Sequence, residues 1–128
     1  MRRAPLIAAL LIAVAPVVTQ ADGKTAIKRA KSGQFDAQGE VRCAQEVGQA
    51  LGTCDASVAR VAGSTAVVVT FPNSFARILT FSDGAFLRGN ATMSGVGTDT
   101  EWQLTNGTYH IRVDDQRFEL PETLVFPD

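Results

Sequence analysis

The stretch Thr100–Val113, TEWQLTNGTYHIRV, decides the fold. At its centre Asn106-Gly107 is the strongest short hairpin signal, because both residues accept positive φ and fit a tight type I′ turn. A two-residue loop there sets Thr105 opposite Thr108, Leu104 opposite Tyr109, Gln103 opposite His110, Trp102 opposite Ile111 and Glu101 opposite Arg112. The next hairpin, through Asp114-Asp115-Gln116 with a loop of either two or four residues, is expected to set Val113 opposite Phe118, Arg112 opposite Glu119 and Ile111 opposite Leu120. Strand side chains alternate with period two. One face therefore collects Trp102, Leu104, Tyr109, Ile111, Val113, Phe118 and Leu120, and the other a stripe Glu101–Arg112–Glu119. Turn, pattern and charge agree on one register.

Working outward, short β-favouring runs alternate with turn residues. Ser57–Ala62 ends at Gly63, Thr65–Phe71 at Pro72-Asn73-Ser74, and Phe75–Phe81 at Ser82-Asp83-Gly84, after which Ala85–Arg88 follows. Leu124–Phe126 reads as a last edge strand. The pattern predicts an all-β domain, an antiparallel meander closed as a small barrel or sandwich of about six to eight strands. The register of the hairpin over residues 65–81 stays open, because three- and four-residue loops place Arg77 and Ile78 on opposite faces. No long stretch shows helical periodicity, and Glu46–Leu51 makes a single turn at most.

With 128 residues, 12 Lys+Arg against 13 Asp+Glu and 45% apolar content, the chain supports one ordinary domain. The near-neutral total does not suit a generally basic nucleic-acid binder. Cys43 and Cys54 are the two cysteines. Their separation is too wide for a redox C-x-x-C, His110 is the sole histidine to complete a zinc set, and an intramolecular disulfide is expected.

Met1-Arg2-Arg3, the apolar run Leu6–Val18 and Thr19-Gln20-Ala21 follow the charged, apolar, small-residue order of a secretory signal peptide over residues 1–21, with cleavage between Ala21 and Asp22. The apolar run is too short, and broken by Pro16, for the ~20 residues of a spanning helix. The cleaved chain would carry a formal −3, with Lys24, Lys28, Arg29 and Lys31 at its start and an acidic remainder of −6. Residues 22–35 read as a basic, flexible segment, with docking of 24–31 to an anionic surface as the sharper alternative. Residues 36–128 form the disulfide-clipped domain.

Catalytic constellations are not apparent: there is no G-x-S-x-G, no H-E-x-x-H and no P-loop. Gly95-Val96-Gly97 leads into a strand and reads as a loop. His110 points outward beside Gln103; Glu101 and Glu119 are the outward carboxylates; Asp99, Asp114 and Asp115 read as turn formers before calcium ligands. Trp102 reads as core. No cofactor and no metal are expected.

The runs Val41-Arg42-Cys43-Ala44-Gln45, Gly52-Thr53-Cys54 with Val58-Ala59-Arg60, Ala66–Thr70, and Ile111-Arg112-Val113 with Arg117–Glu122 resemble a set of small exported bacterial proteins of uncharacterised role. That resemblance implies a periplasmic setting and a shared cysteine bridge, and no activity. The expectation is a periplasmic or secreted, non-enzymatic binding module whose partner is a periplasmic protein or envelope component. The alternative is an inhibitor of a cationic hydrolase, inserting Glu46–Leu51 or Gly89–Asp99 into the enzyme's cleft.

Overall fold

Asn106 and Gly107 both take positive φ, 51° and 77°. The ladder they set pairs strand β6 (Thr100–Thr105) with β7 (Thr108–Val113) in the expected register, Thr105 opposite Thr108 through Glu101 opposite Arg112. In the computed structural model, which describes residues 20–91 and 99–127, this hairpin belongs to a sheet of eight antiparallel strands. The others are β1 (Ala37–Ala44), β2 (Gly52–Val61), β3 (Ser64–Thr70), β4 (Ala76–Ser82), β5 (Ala85–Ala91) and β8 (Gln116–Pro121). Spatial order runs β5-β4-β3-β2-β1-β8-β7-β6. The meander therefore curls round until β8 closes on β1, and the nearly closed barrel keeps one seam, between β5 and β6.

An eight-stranded barrel is about wide enough for its own side chains to fill, and here they do. Val58, Val67, Leu79, Phe81, Tyr109, Phe118 and Leu120 are buried in one cluster, each contributing roughly 1.5–3 kcal/mol by leaving water. Phe81 gathers the rings of Phe86, Tyr109 and Phe126 at 5.5, 4.9 and 6.2 Å. The Cys43–Cys54 disulfide joins β1 to β2 within this cluster.

One barrel end is stopped by a short helix, α2 (Glu122–Val125). Its Val125 is buried, Thr65 Oγ1 donates to Val125 O at 3.0 Å, and Arg60 Nη2 donates to Leu124 O at 2.6 Å. This corrects the expected edge strand at Leu124–Phe126. After Pro121 the chain turns across the mouth, which buries Val125 where a further strand would lie outside.

The basic segment is also different from its expectation. Gln20–Lys31 forms helix α1, and it lies on the outer face of β2, β3 and β4. Ala26 and Ala30, four apart and so on one helical face, are buried against Ala59, Ala66 and Ile78. Their small size lets the helix approach closely. Lys28, Arg29 and Lys31 occupy the last turn, where cations complement the helix dipole. Arg29 is recruited inward, donating to Asp36 and to Arg60 O. The leader expected over residues 1–21 lies outside the described residues, except Gln20 and Ala21 at the start of α1.

The second C-terminal hairpin has the shorter of the two loops, and its pairing is shifted by two residues from the expected one. Asp114 takes positive φ (53°), so Asp114-Asp115 alone makes the turn, with Val113 opposite Gln116, Arg112 opposite Arg117, Ile111 opposite Phe118 and His110 opposite Glu119. A shift of two keeps every side chain on its face. The open β3–β4 hairpin resolves as a five-residue loop, with Thr70 opposite Ala76 and Arg77 opposite Val69. Arg77 thus points inward, and Ile78 lies under α1.

Among the described residues no helix is long and apolar enough to cross a membrane.

Candidate functional site

Alternation along β6, β7 and β8 sends Glu101, Gln103, His110, Arg112, Arg117 and Glu119 outward, and together with Leu51 they line an open groove of about 620 Å³. The groove lies across the barrel from α1. Arg112 and Arg117 stand directly opposite each other, an arrangement that ordinarily destabilises a strand pair. They part company. Arg112 turns toward β6, with Nη2 3.3 Å from Asp99 Oδ2, Nε 3.5 Å from Glu101 Oε1, and Nη1 donating to Asp114 O at 2.8 Å. The Glu101 carboxylate, then Asp99, raises its already high pKa. Arg117 turns the other way and donates to Gln49 O on the β1–β2 loop.

That loop is internally braced. Gln49 Oε1 accepts from the backbone N–H groups of Gln45 and Glu46, and Gly48 takes φ +78° at the bend. Its tip, Val47, is 77% exposed. Val47, Gly48, Arg112, Asp114, Asp115 and Arg117 enclose an adjoining recess of about 460 Å³. On the other side Glu119 is shared with a recess of about 250 Å³ that includes Glu40, Arg42 and Thr53. Recesses therefore mark the outer face from β6 to β1.

The expected stripe Glu101–Arg112–Glu119 does not form. Because of the tighter turn, Glu119 sits instead beside His110, with Oε2 3.4 Å from Nδ1, while Glu101 keeps Arg112. Two carboxylates expected to share one arginine are committed to separate partners. His110 does face outward beside Gln103. The Asp99, Asp114 and Asp115 cluster is turn chemistry: Asp114 N donates to Asp99 O at 2.8 Å, and Asp99 N to Asp114 Oδ1 at 3.0 Å. Among the described residues no three His, Cys, Asp or Glu side chains converge as metal ligands. Gly95-Val96-Gly97 lies outside the described residues.

Trp102 is not core. Its register is as expected and its ring meets Tyr109 at 6.1 Å, yet it is 41% exposed and Leu104 38%. Both belong to the terminal strand of the sheet, and among the described residues no strand pairs with it on the seam side. The sequence marks Glu46–Leu51 as a contact loop but does not place Gln49 and Leu51 beside the β6–β8 residues, and it misses Arg117 as the second guanidinium. The available signal was the two-residue Asp-Asp turn, which would have put Arg117 opposite Arg112.

Comparison with protein-family models, curated proteins and solved structures finds no match to this chain.

Proposed function

We propose that the chain is an exported binding module of the bacterial periplasm or extracellular space, which engages a protein or envelope component through the outward groove of β6, β7 and β8. The observation that carries this reading is preorganisation. Each charged group in the groove is already held by a neighbour, so little side-chain freedom is lost when a partner arrives. The barrel interior is filled by the protein's own side chains, which directs recognition to the outside. A disulfide suits an oxidising compartment, and cleavage after Ala21 would keep all but the first two residues of α1.

A second reading, inhibition of a cationic hydrolase, is favoured by one feature: the braced β1–β2 loop projecting Val47 from an acidic body. Such loops fit clefts with small cost in ordering, and opposite charge steers the encounter.

The test is affinity capture from an envelope extract at low and high salt, with wild type beside Glu101→Gln/Arg117→Ala. A component retained by the wild type and lost from the groove variant supports the proposal. Equal retention by both contradicts it. Salt-sensitive capture of a single cationic enzyme that survives the groove substitutions but is lost in Val47→Asp selects the inhibitor reading.

A further inference from the structure

The seam beside β6 carries an inference beyond the groove. Around a two-residue hairpin turn the flanking pair, Thr105 and Thr108, exchanges backbone hydrogen bonds, and pairs then alternate between bonded and non-bonded. In the observed register Thr100, Trp102 and Leu104 therefore fall at non-bonded positions. Their N–H and C=O groups point away from β7, toward the seam, where no described strand pairs with them. The same residues supply the exposed apolar side chains, Trp102 at 41% and Leu104 at 38%. Across the seam Leu87 of β5 is exposed as well.

Sheet edges are ordinarily blunted by a bulge, a proline, a lysine or an inward-pointing charge. In β6, TEWQLT, none of these is present, and its ladder with β7 runs through six consecutive pairs without a shift. The facing edge differs, since the β4–β5 ladder is interrupted between Thr80 and Phe81.

We infer that the free edge of β6 takes up an extended segment of another polypeptide as a ninth strand. The edge itself specifies the occupant's chemistry. Backbone donors and acceptors spaced along a strand are matched by another strand. Apolar side chains at alternate positions would cover Trp102 and Leu104, and basic side chains between them would face Glu101, which is exposed on the outward side in an acidic body.

Trp102 is the sole tryptophan of the chain, so its emission reports occupancy directly. The experiment titrates the mature, disulfide-bonded protein with a synthetic peptide alternating valine and lysine, and with a control of the same composition carrying a central proline. The alternating peptide is expected to give a saturable blue shift of Trp102 emission and to slow amide exchange at Trp102 and Leu104 by about tenfold or more. Leu104→Pro removes an outward N–H while sparing the β6–β7 ladder, and is expected to weaken binding roughly tenfold. Leu104→Lys, which keeps the backbone and adds a charge to the inner face, does the same if Leu104→Pro fails to fold. Glu119→Gln, in the groove, leaves the peptide's affinity unchanged, which separates failure of the edge from failure of the groove. No saturable shift, equal binding by the proline-broken control, or peptide-free self-association protecting the same amides would each overturn the inference.

Discussion

Gly89 of β5 and Val113 of β7 meet with no room for a side chain between them: a Cβ on Gly89 would stand 2.7 Å from Val113 Cγ2 and 3.0 Å from Leu79 Cδ2. This close approach brings β5 to the inner face of β7 although β5 and β6 share no ladder. It holds β5 against β7 while leaving the β5–β6 seam unpaired. Gly89→Ala is expected to destabilise the fold by about 1–3 kcal/mol through overpacking. Urea unfolding of the variant checks this, and an unchanged midpoint would mean that the seam yields freely.

Arg77 is buried inside the barrel, donating from Nε to Gln116 Oε1 and from Nη1 to Gly89 O at 2.9 Å, with Phe75 5.6 Å from its guanidinium carbon. Burial lowers its pKa, and the Asp114 charge works against that. Gln116→Leu leaves a buried donor unpaired and is expected to cost roughly 1–3 kcal/mol. Adding Arg77→Met should recover part of that loss, because removing both partners is milder than removing one. A double-mutant cycle by denaturant unfolding measures the coupling.

Asp36 fastens α1 to the barrel. It accepts from Arg29 Nη1 and Nη2 at 3.0 and 3.2 Å and from the Arg60 backbone N–H at 2.8 Å. The Arg29 hydrogen bonds first, then the Arg60 N–H, hold its carboxyl below the usual aspartate range. A depressed folded-state pKa gives stability that is complete above the unfolded value and fades as pH falls through the folded one. The difference in stability between wild type and Asp36→Asn should be constant near neutrality and shrink on acidification below about pH 4. The protection of the Ala26 and Ala30 amides, measured relative to their intrinsic exchange rates, should fall over the same window. A difference that grew toward acid would show that Asp36 does not act as a carboxylate.

The disulfide clips a short loop, Cys43 to Cys54. The chain-entropy relation assigns a loop of this size a little under ~3 kcal/mol. Cys43→Ala/Cys54→Ala should lower stability by about that amount and loosen the braced segment Gln45–Gln49, as read by thermal unfolding and amide exchange.

Much of this fold was legible in particular residues. Asn106-Gly107 leaves one register, and the structure has it. Asp114-Asp115-Gln116 does not, since loops differing by two residues keep the same faces. The choice was made by Gln116, which is drawn inside to meet Arg77, a residue 39 positions away. No local pattern carries such a partner. The helix was obscured because four cations dominate residues 24–31, while the Ala26 and Ala30 pair that docks it gives a weak hydrophobic signal. Trp102 and Leu104 follow the core pattern faithfully, and only the strand order reveals that they stand on the terminal strand of the described sheet. At the site, Glu101, His110 and Arg112 were visible as outward residues, whereas Gln49 and Leu51 join them only through folding of the β1–β2 loop.

The groove as the contact face is tested most directly by site-specific photo-crosslinking in cells producing the protein, with a benzophenone side chain at Gln103 in the groove or at Lys31 on α1 across the barrel. A discrete cross-linked product from Gln103, and none from Lys31, is the expected result. The same product from both positions, or one from Lys31 alone, would contradict the account.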